Sequence, residues 1–262
     1  MGIMKKNLAV CVVGDFKYLY KYFSKFKRDI RLNGNYSGEI VVLTSIWCPT
    51  FLLSSIYERN ITVLRFKKIR FPKAIVKTLN TNNTNGQPNR NINKSYQWHK
   101  LHLFDEKIKN WNYIFYLDIN MRFHGDLSEL FKQTPHNNLL ARADSYPKYD
   151  KYLSTQFDEN AKSFKSLNEK YDLNITNYFQ TGLMFFDTSI IENNTKKDLV
   201  NLTIQYPCTI TNEQAICNLY FIHHKNVYKE LPVKIGEKIT YYYWKLLDED
   251  VLITKQNRIQ YK

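Results

Sequence analysis

The feature that most constrains this chain is an alternation, over its first third, of short apolar runs with a stretch of helical period. Leu8–Val13 is a continuous apolar run of strand length that meets Gly14-Asp15. Phe16–Arg31 follows, with Leu19, Tyr22, Phe23, Phe26 and Ile30 on one side, the spacing of an amphipathic helix. Glu39–Thr44 reads as a second strand. Pro49 and Thr50 open a short helix that ends near Asn60, and Ile61–Phe66 reads as a third strand. Strands buried on both faces and joined by helical crossovers run parallel, so the expected class is α/β with helices on both faces of a sheet.

The remainder is less regular. Asn80–Asn93 is polar and low in complexity, with Gly86 and Pro88, and reads as a long loop: a disordered connection or a lid. Ser95 caps an expected helix carrying Trp98, Leu101, Phe104 and Ile108, and Tyr113–Leu117 reads as a central strand. Gly125–Phe131 suggests a turn and a short helix, and Leu139–Ala143 another strand. Ser145–Thr176 reads as loops and one helix outside the sheet. Leu183–Phe186 reads as a late strand, Thr195–Gln205 as a helix, and Asn212 as the N-cap of a helix over Glu213–Phe221. No internal repeat and no linker divides the chain, which predicts a single domain over 1–262, with halves 1–120 and 121–262 and a less regular C-terminal part.

Composition narrows the function classes. A hydrophobic share of 44% excludes an intrinsically disordered chain. Four scattered cysteines without a CxxC argue against a disulfide scaffold or a zinc site of usual spacing, and predict reduced, buried thiols. No run approaches the about 18 apolar residues of a membrane span, and Lys5-Lys6 lead into a first strand instead of a signal segment. A soluble, cytoplasmic protein is the expectation. The 38 Lys and Arg against 24 Asp and Glu give a net charge of +14, which suits a nucleic acid, an anionic membrane surface or an anionic small substrate. The basic patches Lys17–Arg31, Lys67–Lys73 and Lys255–Lys262 are interleaved with apolar residues, so charge alone decides nothing.

Ligands of open α/β sheets bind outside the carboxyl ends of the strands. Gly14-Asp15, Asp118-Ile119-Asn120 and the Gln180-Thr181-Gly182 approach to a strand fall at such ends, though Gln180 and Thr181 by themselves equally suit a turn. Two oxygen ligands two positions apart, just past an apolar strand, suit a hard cation holding a diphosphate. Standing alone, Asp-x-Asn equally suits a strand-end cap.

The surrounding residues are more specific. Tyr113-Ile-Phe-Tyr-Leu-Asp118-Ile-Asn120, followed by Gly125-Asp-Leu-Ser-Glu-Leu130, resembles the Tyr-Leu-Asp-x-Asp and Gly-Asp-Leu segments of GT-A fold nucleotide-sugar glycosyltransferases, family 8 (glycogenin and lipopolysaccharide galactosyltransferases) above all. Trp98-His-Lys100-Leu101, Phe179-Gln180-Thr-Gly182 and Glu213-Gln214-Ala-Ile-Cys-Asn218 are similar to further segments of that family, in family order, from Leu8 to Asn218. The resemblance implies a GT-A (Rossmann-like) mixed, mainly parallel sheet. It implies transfer of a sugar, with retention, from a nucleoside-diphosphate donor, UDP-sugar foremost, to a glycan or protein hydroxyl. In its terms Asp118 and Asn120 would hold Mn²⁺ or Mg²⁺, and Lys100 would pair with phosphate or sugar oxygens. Val13, Gly14 and Tyr18 would border the base. Gln180, Glu213 and Gln214 would surround the transferred sugar, with Gln214 near the reacting carbon.

Two departures from the family matter. Asn120 replaces the second aspartate, and the family's C-terminal His-x-x-Gly-x-x-Lys-Pro-Trp ligand segment is absent, while His223-His224 reads as a helix-end pair. A hard cation should then bind weakly to the free protein and more firmly with diphosphate present. The alternatives are a catalytically weak sugar-nucleotide-binding protein of the same fold, and a basic module for nucleic acid or a peripheral anionic surface.

Overall fold

A computed structural model of the chain describes residues 8–86, 96–242 and 250–255. The apolar runs form the strands β1 (Leu8–Val13), β2 (Glu39–Ser45), β3 (Ile61–Phe66) and β4 (Tyr113–Leu117). After them come β5 (Met121–Phe123), β6 (Leu139–Ala143), β7 (Phe179–Asp187) and β8 (Tyr228–Glu230). The chain closes with β9 (Lys234–Ile235), β10 (Lys238–Tyr242) and β11 (Val251–Lys255). A seven-stranded sheet takes the order β3-β2-β1-β4-β7-β6-β8. Its first four strands are mutually parallel, β7 runs antiparallel to both β4 and β6, and β8 is parallel to β6. The mixed, mainly parallel α/β class expected from the sequence is thus observed, and strands from both sides of residue 120 share one sheet.

Apolar clusters lie on either side of this sheet. Cys11, Ile114, Tyr116 and Met184 face one, together with Trp98, Leu101 and Phe104. Val10, Phe115, Leu117 and Leu183 face the other, together with Leu19, Phe23, Phe26 and Ile30 of the helix over residues 16–32. Of the predicted apolar stripe Leu19, Phe23, Phe26 and Ile30 are buried and Tyr22 is half-buried, while Lys17, Lys21 and Lys25 are exposed. Its middle, Leu19–Phe23, is a π-helical turn. Asp29 anchors it to β5, accepting from the Phe123 backbone N–H at 2.9 Å and pairing with Arg122 at 3.2 Å.

Several expectations are corrected. The segment after Pro49 forms two 3₁₀ turns, Thr50–Leu52 and Ser54–Ile56, not one helix. The helix expected from Trp98 is 3₁₀ over Trp98–Phe104 and again over Glu106–Asn110. It breaks at Asp105, which is extended and caps the second stretch by accepting from the Lys107 N–H. Ser95 lies outside the described residues. The predicted loop from Asn80 is helical as far as Gly86, because Leu79, Ile75 and Val76 anchor the helix Lys73–Gly86 on the core; 87–95 lie outside the described residues. The C-terminal part contains a second sheet, β5-β11-β10-β9, that the sequence reading did not contain. Among the described residues no helix is long and apolar enough to cross a membrane. Cys11, Cys208 and Cys217 are buried free thiols, and Cys48 is half-buried.

Candidate active site

The direction of β7 builds the site. Because β7 opposes β4, its first residues lie at the carboxyl end of β4, where Leu117 pairs with Leu183 and the Asp118 N–H donates to the Gly182 carbonyl at 2.8 Å. Gln180, Thr181 and Gly182 are therefore part of a nine-residue strand, not a turn approaching one. A second register matters as much. β11 pairs antiparallel with β5, and Lys255 faces Met121, three residues after Asp118.

The two registers and the 3₁₀ segment Trp98–Phe104 bring together a compact charged cluster. The Lys100 ammonium lies 3.2 Å from Asp118 Oδ1 and 2.9 Å from Glu213 Oε1. Lys255 Nζ donates to Asp118 Oδ2 at 2.9 Å, and the Tyr116 hydroxyl donates to Asp118 Oδ1 at 2.8 Å. Burial alone would raise the Asp118 carboxyl, but the Lys100 and Lys255 ammoniums outweigh it and hold the group well below the usual carboxylate range. Burial alone would lower Lys100, yet Asp118 and Glu213 outweigh it and hold the ammonium well above its ordinary value. Both groups are charged at neutral pH.

Beside this cluster Gln214 Oε1 accepts from the Thr181 N–H at 3.2 Å, and Gln214 Nε2 donates to Gln156 Oε1 at 2.9 Å. Asn218 holds the helix Glu213–Asn218 against β7, accepting from the Phe179 N–H at 2.7 Å and donating to its carbonyl at 2.9 Å. Asn212 stands at the head of that helix with φ 56° and makes no side-chain cap bond, so the expected capping by its side chain is not observed. Its Nδ2 donates instead to Gln97.

These side chains line a cavity of about 300 Å³ at the carboxyl end of β4. Lys100, Asp118, Gln180, Glu213 and Gln214, all singled out from sequence, meet on its wall, joined by Lys255, Gln156 and Asp144. Among the described residues, buried Glu213 Oε2 has no hydrogen-bond partner. Val13 and Gly14 lie at the carboxyl end of the neighbouring β1 and Tyr18 is half-exposed on the helix after it; none of the three lines the cavity. Asn120 also does not line it. Lys255, Gln156 and Gln97 were not found from sequence, since each lies in a short or irregular segment whose place depends on long-range pairing. His223 and His224 end the π-helical turn Leu219–His224, packed on the Tyr171 ring at centroid distances of 5.2 and 5.5 Å, as a helix-end pair.

The arrangement does not fit a divalent cation held by Asp118 and Asn120. Both Asp118 oxygens already accept from cationic or hydroxyl donors, two ammonium groups occupy the ground where a dication would sit, and Asn120 is off the cavity wall. Among the described residues no group of three His, Cys, Asp or Glu side chains is placed to ligate a metal.

No family model matches the chain, and no curated protein matches it in sequence. Solved structures do match. The galactosyltransferase LgtC, solved with donor and acceptor sugar analogues, is similar at a TM-score of 0.57 and 14% identity, over 90% of this chain and 75% of that one. Mouse xyloside xylosyltransferase 1 is similar at a TM-score of 0.54 and 10% identity, over 96% and 97% of the two chains. The mannosyltransferase Ktr4p of S. cerevisiae, in complex with GDP, is similar at 0.55 and 12% identity, over 87% and 69%. The chain has the GT-A glycosyltransferase fold.

Proposed function

We propose that the chain is a glycosyltransferase that moves a hexose from a nucleoside-diphosphate donor, UDP-sugar foremost, to a hydroxyl of a glycan or protein, with retention of anomeric configuration. The observation that carries this reading is the convergence of Lys100, Asp118, Gln180, Glu213 and Gln214 on one cavity at the carboxyl end of β4, in a fold shared with glycosyltransferases. Val13, Gly14 and Tyr18, one strand away, then border the base.

The chemistry asks three things of such a site. As the bond between the anomeric carbon and the diphosphate oxygen breaks, the electron pair stays on that oxygen, and the fixed positive charge of Lys100 offsets it. The acceptor oxygen bonds to the same carbon, and its proton passes to the departing phosphate on the same face of the sugar, which preserves configuration. The remaining task is positioning. Gln180, Glu213 and Gln214 on the cavity wall offer donors and acceptors to sugar hydroxyls, and a site built to hydrogen-bond a hydroxyl discriminates strongly among hydroxyl patterns.

The test is release of nucleoside diphosphate from a panel of UDP- and GDP-sugars, with wild type compared against Gln214→Ala. Turnover of at least one donor, lowered roughly 10- to 100-fold in the variant, is the expected result. A chain that neither binds nor turns over any nucleotide sugar, yet binds polyanions in a salt-sensitive manner, would return the +14 charge to a nucleic-acid or membrane-surface reading.

A further inference from the structure

We propose that Lys100 and Lys255 together occupy the functional place of a divalent cation in this site, holding the donor's diphosphate by two ammonium groups seated on Asp118. The inference rests on the donor reading above and specifies how that donor is held.

The geometry closes Asp118 from every side. Its Oδ1 accepts from Tyr116 at 2.8 Å and faces Lys100 at 3.2 Å, and its Oδ2 accepts from Lys255 at 2.9 Å. On the Oδ2 side the β7 backbone is so near that a Cβ on Gly182 would stand 3.3 Å from that oxygen. A dication ligated here would sit against two ammonium charges and would have to displace both. The side chains of Lys100 and Lys255 are only 13% and 17% exposed, so neither charge is diluted by solvent as a surface lysine would be.

The charge count is consistent with an exchange of cation type. A dication on two carboxylates is neutral overall, and so is one ammonium on one carboxylate. Here one carboxylate, Asp118, stands where an Asp-x-Asp pair would supply two. The second position is the neutral Asn120, off the wall, and Lys255 supplies the ammonium. Lys100 is balanced separately by Glu213 at 2.9 Å. An ammonium has three N–H donors and rotates freely about its stem, so phosphate oxygens can be taken up by both lysines with Asp118 as their common anchor. Both line the cavity, on either side of the carboxylate they share.

The experiment is calorimetric titration of UDP, with GDP in parallel, into the full chain in EDTA and then in excess Mn²⁺. The expected result is binding of at least one nucleotide in EDTA with the same Kd in Mn²⁺. Lys255→Gln should weaken it roughly tenfold in both buffers, the worth of one hydrogen bond to a charged group, and Lys255→Arg should restore it. Melting temperatures of the variants report that they are folded, and the wild-type comparison needs no variant. Binding that vanishes in EDTA and returns with Mn²⁺ overturns the lysine assignment and leaves the donor reading standing. Absence of binding by either nucleotide in both buffers overturns both.

Discussion

One short 3₁₀ segment, Trp98–Phe104, feeds two polar clusters that resolve burial in opposite ways. On the cavity side Lys100 is kept charged by Asp118 and Glu213. On the core side His99 and His102 are kept neutral. Burial first, then His99 and Lys196, pull His102 down to about 3; its ring stacks on Phe66 at 4.4 Å and Nε2 donates to the Lys67 carbonyl at 3.0 Å. His99 is lowered by burial too. A buried titratable group keeps its charge only where an opposite charge is built beside it, and otherwise sheds it. The charged cluster opens on a cavity, and the neutral one is sealed into the apolar cluster around Leu101 and Phe104. The difference separates side chains that act on a ligand from side chains that hold the fold.

Removing the charge from the first cluster is the most severe way to break that contrast. Lys100→Met leaves Glu213 buried without its cation and Asp118 with Lys255 and the Tyr116 hydroxyl. Truncating one partner of a buried pair costs about 3–5 kcal/mol, and loss of charge stabilisation at the leaving group should lower turnover by more than about 100-fold. Urea unfolding and donor turnover check the two effects separately. Turnover within a few-fold of wild type would remove Lys100 from the machinery.

Acid tests the second cluster. The folded pKa of His102 is depressed from 6.5 to about 3, so its stabilisation is complete above pH 6.5 and drains away as pH falls toward 3. At about 1.4 kcal/mol per unit, the displacement from 6.5 to about 3 is worth of order 4–5 kcal/mol. Among the described residues, buried Nδ1 of His102 has no partner, so the incoming proton would meet no acceptor there. His102→Gln, which keeps a donor for Lys67, should flatten the fall in unfolding free energy between pH 6.5 and 3. An unchanged slope would place the acid sensitivity elsewhere. The charged cluster behaves differently over this range, because Asp118 stays ionised and Lys100 stays protonated throughout.

How far these two clusters could be read from sequence differs in an instructive way. The strands β1 to β4 announce themselves as apolar runs, and burial of the stripe from Leu19 to Ile30 follows from spacing alone. Lys100, Asp118, Glu213 and Gln214 were legible through the motifs around them, and they share one cavity. The opening of β7 was not legible as strand: Gln180-Thr181-Gly182 is polar where it lines the cavity, and polarity reads locally as a turn. Lys255 was legible only as the start of a basic patch, and its place in the site was hidden for another reason. Its position depends on a parallel pairing with nearby β10 and on an antiparallel one with β5, more than a hundred residues earlier, and nothing in Val251–Thr254 reports either partner. The 3₁₀ form of Trp98–Phe104 was likewise hidden, since Trp98, Leu101 and Phe104 suit either helix.

Gln214 sharpens the catalytic side of the contrast with a smaller effect. Its amide bridges the Thr181 N–H and Gln156 within the cavity. If it also meets the reacting carbon, Gln214→Ala should lower kcat by roughly 10- to 100-fold with little change in nucleotide Kd, as expected for a contact made chiefly in the transition state. Equal losses in kcat and affinity would mark it as a ground-state binding residue.

The smallest effect is expected at Asn120, and there a near-null result is informative. Asn120 stands in the turn between β4 and β5, half-exposed and off the cavity wall. A carboxylate placed there by Asn120→Asp faces solvent in part, and exposed charges contribute about 0–1 kcal/mol. With Lys100 and Lys255 carrying the diphosphate, nucleotide affinity in EDTA should change by no more than about threefold, a few tenths of a kcal/mol. Added Mn²⁺ should still be without effect, because Lys255 continues to hold Asp118 Oδ2 at 2.9 Å and a second carboxylate two residues away does not vacate that oxygen. Combining Asn120→Asp with Lys255→Gln frees Asp118 Oδ2 but leaves Lys100 and the Tyr116 hydroxyl on Oδ1, so Mn²⁺ should gain at most a small effect on UDP binding. If the single variant alone becomes Mn²⁺-dependent, Asp118 was open to a cation all along, and the closure of its carboxylate by the two lysines is not what keeps metal out.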